Sequence, residues 1–188
     1  PVTLVLDANG SASLSTAQLV SSATDNCSSV TLSVSPSSFG CSDLGANTVT
    51  VTATDASGNT TTATASVTVA DQTAPTIATV GSTVTVYLDA NGSGSISTSD
   101  VVSSTTDNCT TAPTVSLSTT SFGCSDLGSN TVTITATDGS GNASTATKSV
   151  TVVDTISPTI TAPASLTLTL GSGGTVKLPA TTASATHK

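Results

Sequence analysis

The sequence predicts an all-β chain of tandem β-sandwich repeats forming an elongated rod. Three observations carry that expectation. The block Thr24-Asp25-Asn26-Cys27, followed by Ser38-Phe39-Gly40-Cys41-Ser42-Asp43-Leu44-Gly45, returns as Thr106-Asp107-Asn108-Cys109 and Ser121-Phe122-Gly123-Cys124-Ser125-Asp126-Leu127-Gly128, and self-similarity at such a period marks a repeat architecture. Ser, Thr and Val dominate a chain with no Met, Trp, Glu or Arg; β-branched residues lose rotamer freedom in a helix and pack well on a pleated surface. Apolar residues alternate with Ser or Thr in short runs, the period-two sign of half-buried strands. About seven such runs per repeat, separated by turn signals, are what a sandwich requires.

In chain order, Val2 to Leu6 reads as a strand. It ends at Asp7-Ala8-Asn9-Gly10, where Asn-Gly supplies the positive φ of a tight hairpin, and Ser11 to Leu14 is its expected partner. Ser15 to Val20 suits one helical turn capped by Ser15 or Thr16. After the Asp25-Asn26-Cys27 turn, Val30, Leu32 and Val34 alternate with Thr31 and Ser33, and Pro36 stops that strand. A loop carrying Phe39 and Cys41 leads into the alternating run Thr48 to Thr54. Asp55-Ala56-Ser57-Gly58-Asn59 is a hairpin connection, and Thr60 to Val69 returns with Ala63, Ala65, Val67 and Val69 on one face. Asp71-Gln72-Thr73-Ala74-Pro75 reads as a linker.

The second copy follows the same order, from Leu88-Asp89-Ala90-Asn91-Gly92 to the linker Asp154-Thr155-Ile156-Ser157-Pro158. A third begins where Pro158-Thr159-Ile160 repeats Pro75-Thr76-Ile77. The expected units are therefore residues 1–72, without the opening Pro-Thr-Ile strand, 73–155, and a partial unit at 156–188 holding the opening strand and first hairpin. Two readings follow. The chain is a window on a long tandem array, or its C-terminal partial unit completes the open sheet edge of another copy, giving head-to-tail fibres by strand addition.

Units of about 80 residues bury limited surface and tend to need staples. All four cysteines, Cys27, Cys41, Cys109 and Cys124, sit in the repeated block, and four cysteines allow three pairings. A repeat that folds alone should close its own bridge, so Cys27 with Cys41 and Cys109 with Cys124 are the expected pairs. Disulfides persist in oxidising compartments, which places the chain outside the cytosol. A zinc site is disfavoured, since there is no Cys-x-x-Cys spacing and no nearby His.

The net charge of −8 arises from eleven acidic residues, all Asp, against three Lys. Such a surface repels phosphate backbones, so nucleic acid is not an expected partner. No apolar run approaches the roughly 18 residues that span a bilayer.

The ordered motifs Thr24 to Cys27, Thr52 to Asn59 and Asp71 to Pro75, repeated in the second unit, resemble the hyalin repeat (HYR), especially the tandem versions in large secreted bacterial surface proteins. The resemblance covers both full repeats and the opening of the third. It departs in two places: Thr61 to Ala65 lacks the further cysteine of many such domains, and His187-Lys188 stands where Asp-Asn is expected. It implies an immunoglobulin-like sandwich and a role in extracellular adhesion or as a spacer.

Ten of the eleven Asp fall at matching positions: Asp7, Asp25, Asp43, Asp55 and Asp71 are answered by Asp89, Asp107, Asp126, Asp138 and Asp154, leaving Asp100 alone. One reading is turn chemistry, since Asp accepts hydrogen bonds from the backbone two residues on. The other is calcium, which takes six to eight oxygen ligands. Asp7 with Asn9 and Asp55 with Asn59 place two donors on one loop, and Asp71 joins them if the repeat ends meet; Asp89, Asn91, Asp138, Asn142 and Asp154 are the counterparts. Phe39 and Phe122 are expected as small-core anchors beside the cysteines, and Tyr87 as a half-buried residue. The Thr-rich runs suit the outer face of sandwich strands better than an ice-binding array.

No catalytic constellation can be assembled. His187 is the single His and sits beside the end, so no Ser-His-Asp arrangement forms around it. No cofactor is required, although calcium has a use. The function expected is that of a structural or adhesive stalk, spacer or fibre subunit at the cell surface, with neighbouring repeats of the same or an identical chain as partners. The rival is a glycan- or protein-binding module attached to a secreted enzyme.

Overall fold

The computed structural model describes residues 2–161, together with Leu170 and residues 172–174. Most of the expected third unit, with Lys177, His187 and Lys188, lies outside these residues. The first repeat holds β1 (Val2–Val5), β2 (Ser11–Ser13), β3 (Thr31–Ser35), β4 (Ser38–Gly40), β5 (Gly45–Thr54) and β6 (Thr60–Ala70). The second holds β7 (Thr76–Thr79), β8 (Val84–Tyr87), β9 (Ser93–Ser95), β10 (Val102–Thr106), β11 (Thr114–Leu117), β12 (Ser121–Gly123), β13 (Gly128–Thr137) and β14 (Ala143–Val153), with one short helix, α1 (Thr98–Val101). The helical turn expected from Ser15 is a 3-10 turn over Thr16–Gln18, and Gln18 Oε1 accepts from the Ser15 amide at 2.8 Å.

Each repeat is built on one long hairpin. Thr-x-Val alternation in β5 and β6 sets a register running from Gly45↔Val69 to Thr54↔Thr60. Val49, Val67 and Val69 point inward, and Thr and Ser point out. β1 joins β6 in parallel and β3 joins β5 antiparallel, giving the sheet order β1-β6-β5-β3. The second repeat repeats it as β8-β14-β13-β11. Facing these sheets are the short pairs β2-β4 and β9-β12, so that Leu4 and Leu6 from one layer share a core with Phe39 from the other. Phe39 and Phe122 are buried in their respective cores, as anchors should be.

Three local expectations change. The turn Asp7 to Gly10 forms, with Asp7 N donating to Ser11 O at 2.9 Å, but β1 and β2 do not pair as a hairpin. They part into different layers, because burying Leu4 beneath the long sheet and Phe39 across from it stabilises more than a ladder of three residues. The loop expected around Phe39 contains β4 and a 3-10 turn over Cys41–Asp43. Tyr87 is 64% exposed: it follows the inward Val86 on β8, and the period of two turns it outward.

The repeats differ at one sheet edge. In the second repeat β7 pairs with β10, from Thr79↔Val102 to Thr76↔Thr106, and Ile77 packs on the core. Val101 and Ala136 are fully buried there. In the first repeat no described strand occupies that place. Residues 20–24, the counterpart of β10, form no strand, Leu19 and Ala53 are only half-buried, and Ala63 is exposed. An open groove of about 540 Å³ results, lined among others by Leu19, Val20, Ala23, Leu32, Ala53 and Ala63.

Candidate functional site

The feature that chemistry singles out lies where the two repeats meet. Cys41 and Cys109 form a disulfide across the junction, with Cα atoms 5.2 Å apart, while Cys27 and Cys124 are free and exposed. The expected pairing within each repeat is therefore wrong. Its physical reason is the length of the hairpin. Cys41 adjoins the start of β5, whereas Ser28, next to Cys27, accepts through Oγ from the Ala56 amide in the turn at the far end of β5. A ten-residue strand spans roughly 30 Å, and a disulfide needs Cα atoms within about 7 Å. The two cysteines of one repeat thus mark its opposite ends, and a bridge can form only with the adjoining repeat.

The turns around the bridge are built by Asp. Asp7 Oδ1 accepts from the amides of Asn9 at 2.9 Å and Ser11 at 3.0 Å, and these bonds, Ser11 foremost, hold its carboxyl below the ordinary carboxylate value. Asp89 is held low in the same way by Ser93 and Asn91. Asp43 Oδ2 accepts from the Gly40 amide at 2.8 Å and sets the turn that carries Cys41. The Asp7 turn brings Gly10 against the bridge with φ +72°, where an added Cβ would lie 2.6 Å from Cys41 Sγ. Gly10→Ala is expected to cost about 1–3 kcal/mol in urea unfolding, through a strained backbone and a displaced bridge. Gly45→Ala, at φ +100° with nothing within 4 Å of the new carbon, should lose only the backbone part, about 1–2 kcal/mol.

Beside the bridge the linker of the first repeat meets two turns of the second. Asn108 Nδ2 donates to Asp7 O at 3.0 Å and to Asp71 Oδ1 at 3.2 Å. Asn142 Nδ2 donates to Asp71 O at 3.1 Å and to Asp138 Oδ2 at 2.7 Å. Asp71, Asp107 and Asp138 each bring a carboxylate oxygen within 4.8 Å of the others.

Of the residues expected to bind calcium, the structure thus unites Asp71 with Asp138 and Asn142. Asp7 and Asn9 lie at the same junction, but the Asp7 carboxylate serves its own turn. Asp55 and Asn59 lie at the opposite end of the first repeat, bonded to each other at 2.7 Å, so they do not join Asp71. Asp89, Asn91 and Asp154 stand at the far end of the second repeat, where Asp154 Oδ1 accepts from the Ile156 amide at 2.9 Å. Sequence reasoning missed Asp107 and Asn108, which read as part of the cysteine turn. Their signal was the equal register of Asp25-Asn26 and Asp107-Asn108 beside cysteines that belong to a junction.

No family model and no curated protein matches the chain. Among solved structures it is similar to PcdhgB3 EC1-4, at 18% identity over 60% of this chain and 32% of that one, with a TM-score of 0.31. It is also similar to the fibronectin(III)-like modules of Clostridium thermocellum CbhA, at 11% identity over 81% and 90% with a TM-score of 0.30. A third likeness is to the protocadherin gammaB7 EC3-6 cis-dimer structure, at 16% identity over 81% and 45% with a TM-score of 0.35. The class assignment rests on the strand order itself: this is an all-β chain of immunoglobulin-like sandwich repeats. Among the described residues no helix is long and apolar enough to cross a membrane.

Proposed function

We propose that this chain is an extracellular structural repeat, a stalk or fibre subunit, whose copies join head to tail by repeating between molecules the junction found inside the chain. The observation that carries the proposal is that each half of the junction recurs, unpaired, at an opposite end. At one end, Cys124 Sγ lies 3.8 Å from Gly92 O, as Cys41 Sγ lies 3.7 Å from Gly10 O. A Cβ on Gly92 would meet Cys124 Sγ at 2.7 Å, as one on Gly10 meets Cys41. Asp154 follows Asp71, and Ile160, the counterpart of Ile77, is 91% exposed. At the other end stand Asp25, Asn26 and Cys27, the counterparts of Asp107, Asn108 and Cys109, with the open groove beside them.

In this reading Ile160 of one copy enters the groove of the next, as Ile77 does within the chain, and Cys124 bonds Cys27. The two thiols give up two protons and two electrons to a small-molecule disulfide, which leaves as two thiols. An oxidising, extracellular setting suits the bridges, and the resemblance to hyalin repeats of bacterial surface proteins supports a mechanical role. The groove lining is Ala, Val, Thr, Ser, Asp, Asn and Leu, with no aromatic to stack on a sugar, so the rival glycan-binding module has less support.

Incubation with oxidised glutathione tests the proposal. A non-reducing gel should show a ladder of multiples that reductant collapses, Cys124→Ser should leave monomers, and removal of Ser157 to Lys188 should suppress the ladder. Wild-type protein that stays monomeric overturns assembly between copies, leaving a flanking repeat of one polypeptide as the partner of each end. A ladder that survives Cys124→Ser overturns the bridge.

A further inference from the structure

The carboxylates at the junction between the two repeats form a group whose charges nothing described neutralises. Asp71 comes from the linker of the first repeat, Asp107 from the turn before Cys109, and Asp138 from the turn between β13 and β14. Their oxygens lie within 4.8 Å of one another, and Asp71 and Asp138 are only 6% and 8% exposed. Among the described residues the one cationic side chain is Lys148, and its Nζ donates instead to Val80 O.

Each carboxylate spends part of its capacity on its own turn. Asp71 Oδ1 accepts from Thr73 N at 3.0 Å, Asp107 Oδ2 from Cys109 N and Thr110 N at 3.0 and 2.7 Å, and Asp138 Oδ1 from Ser140 N and Asn142 N at 2.9 and 2.8 Å. What remains points to a ligand. Asp71 Oδ2, Asp107 Oδ1 and Asn108 Oδ1 are buried with no hydrogen-bond partner. Buried polar atoms are nearly always satisfied, and like charges this close repel one another unless a cation lies between them. Turn chemistry accounts for the bonded oxygens and leaves these three without a role.

We infer that Asp71, Asp107 and Asp138, with Asn108 Oδ1, bind a hard divalent cation, calcium, that ties the linker of one repeat to two turns of the next. The donors are oxygens alone, from carboxylates and an amide, which excludes a preference for zinc; the neighbouring Cys109 sulfur is committed to the bridge. Calcium tolerates irregular sets of six to eight oxygens, with water completing the shell, whereas magnesium demands near-ideal octahedral geometry and gives up water reluctantly. The ion ties the linker to the turn that carries Cys109, next to the Cys41–Cys109 bridge, and the two together set the angle between repeats. The site lies within one chain and does not depend on assembly between copies.

The test uses the full chain carrying Cys27→Ser and Cys124→Ser, so that it stays monomeric, stripped with chelator and titrated with calcium chloride. Isothermal calorimetry should show saturable binding at about one ion per chain, with a melting temperature several degrees higher in calcium than in chelator. Magnesium at the same concentration should give less than half that shift. Asp71→Asn should weaken calcium binding at least tenfold. It should also reverse order with its parent: in chelator it melts at or above the parent, because one of three like charges is gone, and in calcium it melts below. Asp100→Asn, a change at the cap of α1, should bind calcium as the parent does. An unchanged melting temperature with no binding heat overturns the site, as does an Asp71→Asn protein that binds calcium like its parent. If Asp71→Asn fails to fold, Asp138→Asn is read by the same two measurements.

Discussion

Cys41→Ser is expected to lower the free energy of unfolding by about 4 kcal/mol, while Cys27→Ser leaves the monomer within about 0.5 kcal/mol of wild type, both read from urea melts without reductant. The bridge joins cysteines separated by 68 residues, and the entropy that such a closure removes from the unfolded chain is about 4 kcal/mol. Cys41 also packs against the first core, together with Cys109 from the other repeat, so the substitution loosens that core as well as the joint. Cys27 has no bonded partner and lies exposed. Pairing within repeats would make the two substitutions equally costly, so their ratio distinguishes the two bridge patterns without a structure. Cys41→Ser should also open the linker Asp71 to Pro75 to proteolysis, because the joint then loses its one covalent tie.

Phe39→Ala should remove about 3–5 kcal/mol from the first repeat, the usual cost of emptying a core aromatic. Phe39 is buried on β4, packed with Leu4, Leu6 and Leu14 beneath the long hairpin, and no other aromatic is present in that core. A small domain holds about 5–15 kcal/mol in all, and the first repeat has less to draw on than the second. Its counterpart of β10 is unpaired and its groove is open, whereas β7 seals the same edge in the second repeat. Calorimetry should therefore show two transitions for Phe39→Ala, with the lower one belonging to the first repeat. Phe122→Ala should bring the second repeat down toward the first and narrow the gap between them.

The sandwich, its turns and its long strands were legible because they are local, while β4 and β12, read as loop, and β10, read as no strand, were not. Thr-Val alternation wrote β5 and β13, Asn-Gly and Asp-x-x-Gly wrote the turns, and the doubled block wrote the repeat. The partner of each cysteine was not local. It depended on which end of a ten-residue strand each cysteine occupies, and the assumption that a repeat closes its own bridge ignored that length. The carboxylate set at the junction was half legible for the same reason. Asp71 and Asp138 could be picked by their register, but their neighbours Asp107 and Asn108 come from a turn that starts 36 residues after Asp71, and only the meeting of two repeats brings them together. Tyr87 shows the opposite case: alternation after Val86 turns it outward, a local signal that the expectation of half-burial overlooked.

The claim on which the rest depends is that consecutive units, not single ones, are stapled. Disulfide mapping of the oxidised, assembled protein by mass spectrometry of unreduced peptides tests it most directly. The account predicts the peptide of Cys41 joined to that of Cys109 and the peptide of Cys124 joined to that of Cys27, the second bond only between copies. Peptides joining Cys27 to Cys41 and Cys109 to Cys124 would contradict it.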